Sequence, residues 1–261
     1  MDRSQIIALF DREQRKNIEY PGTRREVVPD LVRHIDTSGI GEGMVMYSQL
    51  NEANVDEAIR AQMDYFENLG QDFEWKTYDY DTPADLKERL VSHGFILNEL
   101  EAVMLLDLQA APPVLWQPLG HAVRRILDPE KLSDVLSINQ QVWNEDSSRL
   151  IQYLGETITR YPEQMSVYVA YMDGQPASAA WIFFPPHSQF ADLYGGSTIR
   201  AYRKRGLYTA LLAQRAQAAR ARQVRYLVVD ASPMSRPILE KFGFELIAYS
   251  YPCRWKHTSR K

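Results

Sequence analysis

One cysteine, Cys253, stands among 261 residues, which excludes an internal disulfide, and the five histidines form no metal-type cluster with it. No metal site is therefore expected. No apolar run approaches the length that crosses a bilayer, so no membrane partner is expected either. The opening Met1-Asp2-Arg3-Ser4-Gln5 lacks the character of a secretory signal, and a soluble cytoplasmic protein is the simplest expectation. Two phosphate-binding signatures are also missing. The Walker A loop and the dinucleotide fingerprint each need glycines that this chain does not supply.

What is present is a globular composition, 45% hydrophobic, in a length that suits one large domain or two ordinary ones. The net charge of −4 hides an asymmetry: residues 1–110 carry 22 acidic and 11 basic side chains, the remainder 12 and 19. Between Arg200 and Arg225 there are eight Arg or Lys and no acid. Such a split favours two modules, with a positive field on the second. The acidic balance and the lack of a reader module argue against a nucleic-acid partner.

The stretch from Thr198 to Leu212 carries the strongest chemical signal. Arg203-Lys204-Arg205-Gly206 leads directly into an apolar, alanine-rich helix beginning at Leu207. The first amides of a helix have no internal partner and lie at the positive end of its macrodipole. A phosphate placed there accepts several hydrogen bonds, and three basic side chains add charge. The alternative is a solvated basic face. Context decides for the cradle: a strand is predicted over Gln189 to Ser197, a helix over Leu207 to Arg222 and a buried strand over Val224 to Asp230. A short helix then follows with Ser235 as N-cap and Gly243 as left-handed C-cap, and a last strand runs from Phe244 to Trp255.

In this arrangement the chain resembles the GNAT N-acetyltransferase superfamily over residues 120–256. The resemblance rests on Arg203-Lys204-Arg205-Gly206-Leu207-Tyr208 between strand and helix and on Phe242-Gly243-Phe244 downstream. It implies an acyl-CoA-dependent acetyltransferase moving an acetyl group from acetyl-CoA to a primary amine, on a small molecule or a peptide. Cofactor contacts are implied for Gly196, Ser197, Thr198, Arg203, Lys204, Arg205, Gly206, Leu207, Tyr208, Thr209 and Ser232. Three positions depart from the pattern: Tyr208 replaces a small residue, Leu239 stands where a tyrosine often serves as general acid, and Ser232 replaces a common asparagine. Proton transfer would then fall to Tyr194 as acid and to Asp192 or Asp230 as base, with Glu145 acting through water. Leu239 also keeps open a non-catalytic acyl-CoA-binding sensor or scaffold. A homodimer is compatible with either reading.

The upstream half of this module fits the same order. A strand is predicted at His121 to Ile126, helices at Pro129 to Trp143 and Ser147 to Tyr161, and a hairpin from Met165 to Phe184 around Asp173-Gly174. Trp75, Trp143, Trp181 and Phe183 are expected in the core, and His187 in an ordinary loop. His34, His93, His121 and His257 have no partner pattern.

The first module echoes the second. Val55, Ala58, Ile59, Met63, Phe66 and Leu69 have helical spacing, followed by a strand at Phe73 to Tyr78, a helix opening near Thr82-Pro83, the pair Gly94-Phe95 and a strand at Glu101 to Leu108. This repeats the order after Val224. The expectation is an α/β protein of tandem GNAT-like halves, each a mixed sheet flanked by helices, with 1–110 a degenerate copy and 118–261 the acetyl-CoA-binding domain. Glu52, Asp56 and Glu57 at the would-be cradle of the first half would repel phosphate.

Overall fold

A computed structural model describes residues 2–118 and 120–258 and divides them into two compact units. The first comprises Met1–Met104, Asp230–Ile238 and Leu246–Lys261; the second comprises Leu105–Val229 and Leu239–Glu245.

The first unit begins with α1 (Arg3–Phe10), capped by a reciprocal Asp2–Gln5 pair, and continues through one π-helical turn at Asp11–Lys16. Strands β1 (Thr23–Val28), β2 (Leu31–Asp36) and β3 (Gly43–Ser48) form an antiparallel meander. Helix α2 (Val55–Leu69) crosses over to β4 (Phe73–Tyr78), which lies parallel to β3. Val55, Ile59, Gln62 and Phe66 make the buried stripe of α2, and Gly70 ends the helix in the left-handed conformation. Then follow α3 (Leu86–Ser92), the short β5 (Ile96–Leu97) and β6 (Glu101–Asp107), which runs across the unit boundary. The predicted helix after Asp81 begins later than expected: the Leu86 amide donates to the Pro83 carbonyl, and the first helical residue is Leu86.

The second unit contains β7 (Ala122–Ile126), α4 (Leu132–Trp143), α5 (Ser148–Arg160), β8 (Met165–Met172), β9 (Gln175–Phe183), β10 (Phe190–Thr198), α6 (Leu207–Ala221) and β11 (Tyr226–Ala231), which ends in the first unit. Strands β7 to β10 are antiparallel neighbours, and α6 carries the chain to β11, parallel to β10. Asp173 and Gly174 both take positive φ in the β8–β9 turn, as the sequence led one to expect. The small residues Ala177, Ser178, Ala179 and Ala180 of β9 are fully buried, and both α4 and α6 pack on this strand.

The chain closes with α7 (Arg236–Glu240) and β12 (Glu245–Trp255). Ser250 to Trp255 pair antiparallel with Tyr78 to Phe73, and β5 pairs with the same strand. Cys253 and Trp255 thereby join Phe66, Phe73, Trp75, Leu90 and Phe95 in the core of the first unit. The internal repeat is visible in connectivity: β3–α2–β4 and β10–α6–β11 are both parallel crossovers with a helix of 15 residues. Both units are thus mixed sheets flanked by helices. Among the described residues no helix is long and apolar enough to cross a membrane.

Candidate functional site

Strand β10 is paired with β11 only from Phe190↔Tyr226 to Asp192↔Val228, yet it continues to Thr198. On its other edge the register with β9 slips between Gly195 and Ser197, so Gly196 is an extra residue in a β-bulge. Gly195 and Gly196 both have positive φ. A Cβ on Gly195 would lie 2.6 Å from the Trp181 ring, so a side chain is excluded there by contact as well as by conformation. The strand therefore loosens from its parallel partner and presents irregular backbone at Gly196 to Thr198, where the family resemblance implies cofactor contacts.

The segment after the bulge builds the cradle. Arg200–Tyr202 form a 3-10 turn, Arg203 Nε donates to the Thr198 carbonyl at 3.1 Å, and Lys204 takes positive φ. Gly206, at φ 83°, is the N-cap of α6 and provides no side chain to cap it. The Leu207, Tyr208 and Thr209 amides thus precede the first intrahelical donor, Ala210, which bonds the Gly206 carbonyl. Arg200, Arg203, Lys204 and Arg205 are exposed, and among the described residues no carboxylate pairs with them. His121 flanks the turn, its Nε2 being 3.1 Å from where a Gly206 Cβ would stand.

Beneath the bulge lies a buried cation. Arg215 of α6 is 2% exposed and donates to the carbonyls of Leu211, Trp181 and Tyr194 at 3.2, 3.4 and 3.2 Å. Burial pushes its guanidinium down to about 10 against the opposing phenols of Tyr208 and Tyr168. Burial likewise raises the Tyr208 phenol. Among the described residues Arg215 has no acidic partner, so its charge adds to the positive field of the α6 start.

The corresponding helix start in the first unit is closed. Asn54 Oδ1 accepts from the Asn51 amide and Asn51 Oδ1 from the Ala53 amide. Glu52 and Asp56 are bound by Arg89, and Asp56 also meets His93 Nε2 at 2.9 Å. The His93 contact, and then Arg89, hold the Asp56 carboxyl below its ordinary range. The negative charge expected from sequence is there, occupied by the unit's own side chains.

The second unit brings together Asp192, Tyr194, Gly196 to Thr198 and Arg203 to Thr209. Asp192 and Tyr194 share one face of β10, since alternate strand residues point the same way. Asp230 and Ser232 belong to the first unit. Asp230 is ion-paired with Lys76, which also meets Glu101 at 3.3 Å. Burial opposes the charge on Lys76, but Asp230, Tyr78 and Glu101 outweigh it and hold the ammonium well above its usual range. Ser232 shares a hydrogen bond with Ser235 before α7, and Leu239 is buried. Three further residues were not singled out by the sequence reading: Arg215, His121 and Lys76. Trp75, Trp181 and Phe183 are core residues as expected, but Trp143 is not: it is 54% exposed, because its indole turns to donate from Nε1 to Ser197 Oγ at 2.9 Å.

A model of the acetyltransferase (GNAT) family matches residues 122–244. Among solved structures, a GCN5-related N-acetyltransferase from Kribbella flavida aligns over 97% of this chain and 93% of its own, at 16% identity and TM-score 0.66. A conserved protein of unknown function from Staphylococcus epidermidis aligns over 92% and 96%, at 12% identity and TM-score 0.70. A tandem GNAT protein from the clavulanic acid biosynthesis pathway aligns over 94% and 86%, at 12% identity and TM-score 0.61. At these identities the likeness is one of fold. No curated protein matches the sequence.

Proposed function

Residues 122–244 form a GNAT-family acetyltransferase domain, and from that premise we propose that the chain transfers an acetyl group from acetyl-CoA to a primary amine. The observation that carries the reading is the start of α6: Gly206 without a capping side chain, first amides that precede the intrahelical bonds, and four exposed basic residues with no carboxylate partner among the described residues, beside the bulged end of β10. These features fit a pyrophosphate and its adjoining arm. The amides from Lys204 to Thr209 would hold the pyrophosphate, with Arg203, Lys204 and Arg205 adding charge and Gly196 to Thr198 pairing with the arm. Residues 118–261 would form the competent domain, and 1–110 the degenerate copy that binds no cofactor.

The transfer forms a C–N bond and breaks the C–S bond; the ammonium gives up its protons and the departing thiolate takes one. Holding amine and thioester in line supplies much of the rate advantage. Amide donors near Gly196 and Thr198 would stabilise charge on the carbonyl oxygen. Asp192 is the base we assign within the second unit, and Tyr194, on the same face of β10, the acid. Asp230 is the alternative base, with Lys76 holding its carboxylate. Ser232 would complete the cofactor contacts.

The buried Leu239, which offers no proton, favours as second reading a protein that binds acyl-CoA without catalysis. Calorimetry with acetyl-CoA, followed by thiol release over a panel of primary amines, tests both. Binding with turnover supports transfer, binding without turnover on any amine supports the sensor, and absence of binding overturns the cofactor assignment.

A further inference from the structure

Trp143 continues the buried stripe of α4 set by Val135 and Asn139, and a helix normally buries a tryptophan there. Here the helix stops at Trp143, Asn144 turns the chain in the left-handed conformation, and the indole keeps more than half its surface in solvent. It is nevertheless fixed, because Nε1 donates to Ser197 Oγ and Ser197 is buried. An exposed indole held to the bulged strand is a surface kept for something.

The register shows what shares that surface. Ser197 pairs with Ala179 and Tyr194 with Trp181, and Ala179 and Trp181 are alternate residues of β9, so all four lie on one face. Gly196 turns the other way, toward Tyr208 of α6. The face with Trp143 thus carries Asp192, Tyr194 at 37% exposure and, at its base, Trp181 at 9%. It offers a carboxylate, a phenol and a broad aromatic wall.

The indole's only hydrogen-bond donor is already engaged by Ser197, so Trp143 can offer a ligand nothing but its π-face and apolar edge. A sugar hydroxyl or a carboxylate gains nothing from it. A flat apolar group gains burial and stacking. We propose that the acyl acceptor is an arylalkyl primary amine, with its aromatic group against Trp143 and its amine directed to the Asp192–Tyr194 strip. This rests on the acetyl-transfer reading given above. Ser197 is then a positioning residue, acting through the orientation of the indole.

The test compares 2-phenylethylamine, butylamine and putrescine as acceptors with acetyl-CoA, in the intact chain and in Trp143→Ala, Trp143→Phe and Ser197→Ala. Thiol release gives kcat/KM, and quenching of indole fluorescence by 2-phenylethylamine in the coenzyme A-saturated protein gives binding directly. Thermal melting followed by circular dichroism is the folding control for each variant. The wild type should favour 2-phenylethylamine over butylamine by at least about tenfold, and Trp143→Ala should abolish that ratio. Trp143→Phe should retain most of the ratio while removing the quench, and Ser197→Ala should raise KM for the aryl amine more than for butylamine. A ratio unaffected by Trp143→Ala, a wild-type preference for butylamine or putrescine, or no quench in a protein that binds coenzyme A would each overturn the proposal. Failure of the wild type to bind acetyl-CoA would instead overturn the transfer reading and, with it, this one.

Discussion

Gly206 separates two effects that a single substitution usually confounds. It holds φ 83° at the N-cap of α6, and an added Cβ would stand 3.1 Å from His121 Nε2, the far end of a side chain that can move. Alanine at positive φ costs about 1–2 kcal/mol. In a protein of this size that corresponds to a melting shift of roughly 2–8 °C. Aspartate tolerates the left-handed region better than alanine, so Gly206→Asp should be no less stable than Gly206→Ala. The affinities should run the other way. A carboxylate about 5 Å from a phosphate charge contributes about 1–3 kcal/mol of repulsion at an effective dielectric between water and protein surface. Gly206→Asp should therefore bind coenzyme A at least about tenfold more weakly than Gly206→Ala, with the gap narrowing as salt is raised. Paired calorimetric titrations and thermal melts of the two variants measure this. Equal coenzyme A affinities in two folded proteins would show that no phosphate lies at the α6 start.

Coenzyme A binding should weaken with ionic strength, because Arg203, Lys204 and Arg205 are exposed and screened beyond about 8 Å at physiological salt. Dephospho-coenzyme A should show the shallower slope in the same titration, and a flat response for both would reduce the cluster to a solvated face. His34 is fully buried, and burial, then Arg25, lower its pKa from 6.5 to about 4. Between those values the unfolded chain binds the proton and the folded one does not, so stability falls on acidification by up to about 3 kcal/mol. Urea midpoints between pH 4 and 7 should show this slope, and His34→Gln should lose it. Lys76→Met leaves Asp230 and Glu101 without their shared ammonium and should destabilise the first unit by about 3 kcal/mol. Adding Asp230→Asn should recover part of that loss; a double variant as unstable as the single one would refute the pairing.

What the sequence made legible was local. Gly206 before an alanine-rich helix, Asp173-Gly174 between two apolar runs and the order around Gly94-Phe95 and Gly243-Phe244 all depend on residues within a few positions of one another. They located the cradle strand and helix to within two residues at each end. The first three strands went unread, because their Arg and Glu residues pair across the meander and beneath α2, as Arg33 does with Glu26 and Gln62. Arg15 shows the same limit: its pair with Asp11 is local, but its burial against Tyr78 and Asp81 comes from a segment more than sixty residues away. In the site, Arg215 looked like one more charge in a basic run; only the fold shows it turned inward to the Tyr194 carbonyl. Trp143 is expected in the core as a large aromatic, yet it is more than half exposed. The helix end at Trp143 is legible, but the hydrogen bond that fixes the indole goes to Ser197, 54 residues away.

The pairing of β12 with β4 has a consequence for how the protein is made. Residues 105–229, nearly all of the second unit, are continuous in the chain and can condense as soon as they leave the ribosome. The first unit, although synthesised earlier, lacks the strand that covers β4 and the Cys253 and Trp255 side chains that fill its core. Until those residues emerge, β4 offers an open edge and Phe73 and Trp75 have an incomplete cover, a state that invites association with other chains. Order of synthesis and order of completion are thus reversed. A chain truncated at residue 245 and released should hold a protease-resistant second unit behind an N-terminal segment that chaperones still grip.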